Sequence, residues 1–390
     1  MLKGLKYRIS PTNSQKELIV KHIGSSRFVY NLALETKNTA YLGSKHNFSP
    51  FDLIKQLPDL KKECEWLKEV NSQSLQQAIQ NMDVAFKKFF KGAGFPKFKS
   101  KHKGAKSFSV PQNVIVENDL LIIPKFKEGI DIVLHRPIKG TIKSATISIT
   151  PTGKYFASIL VDTNEVIPPK ETINESTTIG IDLGIKDFAI TSEGEVFENP
   201  KYLRKAQDKL KYVQRKYSKN KGKRTKKRLA LLHEKVVNKR KDFLHKTSTK
   251  LIRENQTICL ENLAVSNMVK NHCLAQAITD VSWSTFVTML KYKADWYGKN
   301  ILQIGRFAPS SKTCSCCGYI NKELTLKDRE WTCPVCTSVL DRDVNASINI
   351  KSFALKNNLS GTDRKNQGKL PTLVGALTLE AHPIAFGVGG

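Results

Sequence analysis

The chain has 390 residues, a length that suggests roughly two or three domains, and 40% of them are hydrophobic, which excludes a globally disordered protein. Its 64 Lys and Arg stand against 35 Asp and Glu, a net charge of +29. Such an excess calls for a polyanionic partner, usually nucleic acid; a ribosome-associated or membrane-surface protein is the alternative that charge alone leaves open. No run approaches the ~20 apolar residues that cross a bilayer, and no apolar segment follows Met1, so neither a membrane partner nor a secretory signal is expected. Eight cysteines, four of them in two tight pairs, suggest metal rather than disulfides in a reducing, cytoplasmic compartment.

In chain order, Leu5–Ile9 reads as a strand stopped by Ser10-Pro11. A helical stretch follows from about Ser14 to Phe90, broken near Tyr41–Pro50 and at Pro58. Within it Leu75, Ile79, Met82, Phe86 and Phe89 recur every three or four residues on one face, and Gly92–Pro96 ends the helix. Short β-like runs come next: Val114–Val116, Leu120–Ile123, Ile130–Leu134, Ser144–Ile149 and Tyr155–Val161. They predict a small β-barrel completed by the first strand, with the helices inserted into it. Pro168-Pro169 and Asn174–Ser176 mark a boundary.

The second half begins with a β-hairpin, Thr177–Ile181 and Phe188–Thr191, turning at Leu183–Lys186. Two basic helices follow at about 199–218 and 224–254, then a strand at Ile258–Leu260, one amphipathic helix at about Leu274–Tyr297 and a strand at Ile301–Ile304. This alternation is that of an α/β domain. The last thirty residues, rich in Gly, Pro and small polar types, read as a mobile tail.

Cys314-x-x-Cys317 and Cys333-x-x-Cys336 are fifteen residues apart, the spacing of a four-thiolate zinc ribbon, and Gly318 supplies the turn of the first knuckle. A closed four-cysteine site is structural, because no position remains for a substrate. Cys316 is the spare thiol; Cys64, Cys259 and Cys273 read as ordinary cysteines.

Three acids stand in costly places. Asp182 follows the apolar Ile179-Gly180-Ile181, Glu261 ends Ile258-Cys259-Leu260, and Asp343 lies at the start of a helix in Asp341–Ser347. Each has an ordinary explanation, a lysine partner or, for Asp343, capping of its helix. Together they suit two Mg²⁺ ions serving phosphodiester hydrolysis, and a hairpin carrying the first acid is how ribonuclease H-like folds begin.

These segments resemble one family, the TnpB (OrfB) proteins of bacterial insertion sequences. The resemblance rests on Gly180–Gly184, Leu260–Leu263, Ser311–Gly318 and Asp341–Ala346. Trp283, Tyr292–Gly298, Phe95–Lys99 and Arg27–Asn31 add to it, and it spans about residues 1–357. It implies an RNA-guided DNA endonuclease related to the type V CRISPR effectors, with a RuvC-like (ribonuclease H-like) domain. By this resemblance the catalytic and magnesium-binding triad is Asp182, Glu261 and Asp343, with Asp343 preferred to Asp341 as the acid of the Asp-x-Asn-Ala pattern. The structural zinc falls to Cys314, Cys317, Cys333 and Cys336. Ser347 stands where alanine is commoner.

The implied domains are a wedge-like β-barrel (1–10 and 101–172), a helical recognition insertion (11–100), the RuvC-like nuclease domain (173–309 and 341–357), the zinc ribbon (310–340) and the tail (358–390). The implied partners are a guide RNA from the element's own transcript and double-stranded target DNA, with a short flanking motif read by the N-terminal half. The implied location is the bacterial cytoplasm, at the nucleoid when bound.

Gln76, Gln77 and Gln80 on one helix have the chemistry to read base edges, or are plain solvated positions. Residues 201–250 carry 20 Lys or Arg against three acids, more than a solvated hairpin needs. Lys209, Lys216, Arg224, Lys227 and Arg228 are therefore expected to meet phosphates. A nuclease-silent RNA-guided repressor is the alternative function, disfavoured by the complete triad. A recombinase ranks last, since no tyrosine stands near paired metal-binding histidines.

Overall fold

The computed structural model describes residues 1–359 apart from Lys103 and Leu326, so nearly all of the expected tail lies outside the described residues. Contacts divide the chain into two units, with the boundary between Glu165 and Val166.

The first unit opens with strand β1 (Leu2–Ser10), followed by helices α1 (Asn13–Ser44), α2 (Pro50–Lys55), α3 (Leu57–Glu63) and α4 (Ser72–Phe89). Thr12 starts α1 through a capping box: its hydroxyl accepts the Gln15 N–H at 3.3 Å, and the Gln15 side chain accepts the Thr12 N–H at 2.9 Å. Leu75, Ile79, Met82 and Phe86 of α4 are buried against Val29, Tyr30 and Leu34 of α1, as the helical period predicts; Phe89 is only half-buried. His22 is fully buried between Leu18 and Asn71, donating to the Leu18 carbonyl at 2.8 Å and accepting the Asn71 N–H at 3.0 Å. Desolvation lowers its pKa, so the neutral ring is a packing element.

Strands β2 (Lys106–Val110), β3 (Ile115–Glu117), β4 (Leu120–Ile123), β5 (Phe126–Val133), β6 (Thr141–Ile149) and β7 (Tyr155–Asp162) join β1 in one antiparallel sheet, ordered β2-β6-β7-β1-β5-β4-β3. β1 lies inside this sheet, paired with β7 and β5, so the helices are an insertion between a central strand and the rest. β2 has no counterpart among the expected strands; its Phe108 and Val110 alternate into the core beside Ile147, Ile159, Ile132 and Tyr7. The ladder is open, with β2 and β3 at its ends among the described residues.

The second unit carries β8 (Thr178–Asp182), β9 (Asp187–Thr191), β10 (Val196–Glu198), α5 (Tyr202–Asn220), α6 (Lys223–Glu254) and β11 (Thr257–Leu260). It continues with α7 (Val265–Met268), α8 (His272–Val281), α9 (Trp283–Tyr297), β12 (Asn300–Gln303), β13 (Glu330–Thr332), β14 (Val339–Asp341) and α10 (Arg342–Leu359). The main sheet runs β10-β9-β8-β11-β12; its first three strands are antiparallel, and β8, β11 and β12 are parallel. Parallel neighbours need long crossovers, which the α5–α6 hairpin and the α7–α9 group provide.

Both faces of β8 and β11 are covered, which is why their sequences are continuously apolar. Ile179, Ile181, Ile258 and Leu260 pack against α6, α8 and α9, whereas Cys259 packs against Ile350 and Ala354 of α10 on the opposite face. The single helix expected over Leu274–Tyr297 is two, because Ser282 takes a left-handed conformation (φ 59°) and breaks it. No helix among the described residues is long and apolar enough to cross a membrane.

Candidate active site and metal centre

Strand register explains why two acids far apart in sequence come together. Ile181 of β8 is aligned with Leu260 of β11 in a parallel pair, so Asp182 and Glu261 occupy the next aligned positions at the same strand ends. Side chains alternate along a strand. Asp182 therefore shares the face of Gly180, and Glu261 that of Cys259, which is the face covered by α10. Asp343 sits in the first turn of α10.

Gly180 sets how closely α10 approaches. A Cβ there would overlap the Ser347 carbonyl oxygen and stand 2.9 Å from Lys351 Cβ, so only glycine lets this helix lie on β8. Gly180→Ala is expected to push α10 off the sheet and cost at least ~2 kcal/mol of stability, the range of an overpacked core. A denaturant melt with an unchanged midpoint would contradict this account. Ser347 also belongs to the contact: it is fully buried, and its hydroxyl donates to the Val344 carbonyl at 2.6 Å.

Burial, reinforced by the charges of Glu261 and Asp343, pushes the Asp182 carboxyl up to about 8. Glu261 accepts a hydrogen bond from the Ser310 hydroxyl at 2.7 Å. Asp343 is held by Arg329 at 2.8 Å and by Arg342 at 2.9 Å. Asp341 takes the capping duty instead, accepting the N–H groups of Asp343 and Val344 at 3.0 and 2.9 Å. The Asp343 carboxylate is thereby released from its own helix end. Asp182, Asp343, Lys186, Arg329, Arg342 and Trp283 line a cleft of about 240 Å³. Trp283 is buried, and its indole N–H has no acceptor among the described residues.

The four ribbon cysteines are drawn together. Cys314 and Cys336 lie 3.6 Å apart at sulfur, as do Cys317 and Cys333, and all four sulfurs fall within 4.8 Å of one another. A tetrahedral zinc with Zn–S near 2.3 Å needs sulfurs about 3.8 Å apart, so the donor set fits that ion. Gly318 (φ 79°) and Thr337 (φ 59°) make the two knuckle turns, although the sequence marked only the first. Among the described residues this is the one set of Cys, His, Asp and Glu ligand atoms gathered so tightly; the three carboxylates are more widely spread.

The ribbon is fastened to α10. Asn345, buried, accepts the Ser315 N–H at 2.9 Å and donates to the Thr313 carbonyl at 2.7 Å; Asn349, one turn on, donates to Ser310 and Thr313 carbonyls at 2.8 and 2.6 Å. Ser310, Arg329 and Asn349 drew no notice in the sequence, because nothing local marks them; only the packing brings Ser310 to Glu261, Arg329 to Asp343 and Asn349 to the chain entering the ribbon. Among the other thiols, Cys259 is buried, Cys64 half-buried, and Cys273 and Cys316 exposed.

The expected nucleic-acid residues are distributed over both units. Gln76 and Gln77 are half-buried on α4, with Gln77 donating to Asn81 at 3.3 Å, and Gln80 is exposed. Lys209 and Lys216 on α5 and Arg224, Lys227 and Arg228 on α6 are all exposed.

Three family profiles match: "Probable transposase" of the OrfB_IS605 type over residues 158–272, "Cas12f1-like, TNB domain" over 283–350, and "Helix-turn-helix domain" over 1–45. In this chain the last region is β1 and one long helix. A protein of Streptomyces pristinaespiralis named "Putative RNA-guided DNA endonuclease" is 37% identical over 364 residues, 90% of this chain and 89% of that one. "Putative RNA-guided DNA endonuclease InsQ" of Escherichia coli K12 is 30% identical over 90% of this chain and 91% of its own. The cryo-EM structure titled as the Cas12f1–sgRNA–target DNA complex aligns with a TM-score of 0.54 at 13% identity, covering 90% of this chain and 98% of that one, a likeness of fold. With such identities over nine tenths of each chain, this protein belongs to the TnpB (OrfB) family, related to the type V effectors.

Proposed function

We propose that this chain is an RNA-guided DNA endonuclease of an insertion sequence, hydrolysing phosphodiester bonds of target DNA beside a short flanking motif. The observation that carries it is the convergence of Asp182, Glu261 and Asp343 at one end of the sheet, with the Asp182 carboxyl pushed up to about 8 by burial and, after it, by the charges of Glu261 and Asp343. The names of the two relatives point the same way. In this reading the second unit is a RuvC-like domain: the order β10-β9-β8-β11-β12, antiparallel then parallel, is that of a ribonuclease H-like sheet, and α10 supplies the third acid. The four-cysteine module is its zinc ribbon, and the first unit is the wedge-like domain, an open antiparallel sheet in place of the expected barrel, with its helical insertion.

Two Mg²⁺ ions bound to the three carboxylates would ready the attacking water and stabilise the leaving oxygen. The chain's own groups prepare for that. Asp182, Glu261 and Asp343 offer oxygen ligands on one face, and Ser310 orients Glu261. Arg329 and Arg342 pair with Asp343 and place positive charge on the cleft wall, where a phosphate would come. The test is plasmid cutting in Mg²⁺ with the RNA that co-purifies with the protein. Cleavage that requires both matching RNA and metal is expected. Guided binding without cleavage would instead identify a nuclease-silent repressor.

The exposed cations of α5 and α6 serve affinity, not sequence choice, because base pairing with the RNA reads the target. Changing Arg224, Lys226, Lys227 and Arg228 together to Gln is expected to weaken binding and flatten its salt dependence, by about 0.7–0.9 in slope for each lost phosphate contact. Discrimination between matched and mismatched targets should not change. An unaltered slope would make these side chains a solvated face.

A further inference from the structure

The end of α4 and the segment after it combine two features that a merely solvated surface does not need. Residues 84–116 contain no acid and eight lysines. Among them stand three phenylalanines that the fold leaves open: Phe90 is 79% exposed, Phe95 50% and Phe98 58%. They are not loose. Phe95 rests edge-on against Phe86 and Phe89, with ring centres 5.6 and 5.2 Å away, and Phe89 lies 5.4 Å from Phe90. The segment has no helix or strand, yet it is fixed at Lys99, whose backbone N–H and carbonyl are both bonded to the Asn31 side chain, at 2.7 and 3.0 Å. Pro96, between Phe95 and Phe98 in sequence, is buried.

Open rings set among exposed lysines such as Lys91 and Lys97 make a poor surface for an apolar protein partner, which would bury those ammonium groups without a counter-charge. Such a surface suits single-stranded nucleic acid, whose phosphates meet lysines while its bases stack on aromatic faces. Paired bases hide those faces inside the duplex. Bare phenylalanines in a free chain also call for a resident cover. In the function proposed above, on which this step rests, RNA is held throughout, whereas a DNA strand is unpaired only while a target is open. We propose that Phe90, Phe95 and Phe98 form a stacking platform for an unpaired segment of the bound RNA, with neighbouring lysines such as Lys91 and Lys97 taking its phosphates.

The experiment is fluorescence anisotropy of the full chain, stripped of nucleic acid, with a labelled 12-nucleotide oligoadenylate RNA across a salt series. The Phe90→Ser/Phe98→Ser variant touches only open rings, and its melting temperature serves as the folding control. It is expected to bind this RNA at least ten-fold more weakly with an unchanged salt slope, since no phosphate contact is removed. Phe90→Trp/Phe98→Trp should restore binding, and a 12-base-pair DNA duplex should bind the parent and the serine variant alike. Unchanged RNA affinity in the serine variant would overturn the platform. A loss confined to oligodeoxyadenylate would overturn the assignment to RNA. Neither result depends on cutting: an Asp182→Ala chain that still cleaved would refute the proposed catalytic site and leave this binding comparison standing.

Discussion

Asp182→Ala is expected to lower guided cutting by a factor of ~1,000 or more, equivalent to about 4 kcal/mol of transition-state stabilisation, while RNA and target binding persist. The carboxylate lies at the junction of β8, β11 and α10, whereas the exposed basic side chains of α5 and α6 are untouched. Cleavage of a matched plasmid beside a filter-binding assay separates the two effects, and retained cleavage would refute the triad. The same residue has a stability signature when divalent metal is absent. Its folded-state pKa of about 8 lies above the unfolded value near 3.8, so burial disfavours the charged form. The parent should therefore lose stability as pH rises from about 4 to about 8 and level off above. Asp182→Asn lacks that ionisation, so its melting temperature should gain on the parent's across that window. Mg²⁺ should narrow the gap, because the cation compensates the carboxylate only in the parent. A gap that stays constant with pH would show that Asp182 is not penalised on burial.

Cys333→Ser should release the ribbon's metal and, with it, the geometry at Asp343. The four sulfurs enclose one ion site, and the small core beneath them consists of little more than Leu324, Trp331 and Leu340. Structural zinc contributes on the order of 10 kcal/mol to modules of this kind, so the ribbon should open locally without it. Two connections carry the damage onward. Arg329, three residues from Thr332 and inside the ribbon, pairs with Asp343, and Asn345 and Asn349 take their partners from the chain leading into the first knuckle. Expected results are about one zinc per parent chain, new protease cleavage within 310–340 in the variant, and cutting lost along with the metal. A zinc-free parent that is protease-resistant and active would refute a structural zinc here.

The difference between what sequence and structure each disclose can be followed residue by residue. Amphipathic period alone placed Leu75, Ile79, Met82 and Phe86 on the buried face of α4, because a helix that must bury one stripe repeats it every 3.6 residues. Cysteine spacing alone placed the four sulfurs, because a knuckle is a local turn and its geometry is written in consecutive residues. An acid ending an apolar strand is conspicuous without any coordinates, which is why Asp182 and Glu261 stood out.

The break at Ser282 was hidden, since neither glycine nor proline marks it and the apolar stripe continues on both sides. β2 was hidden for a related reason: five residues with two inward side chains are too short for alternation to declare itself. The resemblance already preferred Asp343 to Asp341; tertiary structure adds the hydrogen bonds that make Asp341 the cap of α10, in whose first turn Asp343 stands.

Gly180, Ser310, Arg329 and Asn349 belong wholly to the tertiary level. Each acts across a long sequence separation: Gly180 by what it lacks beneath α10, the others by a contact with Glu261, Asp343 or the ribbon backbone. Composition and local pattern report a residue's own stretch of chain. Which helix covers which strand, and how closely, is decided by the packing of side chains that no single stretch contains.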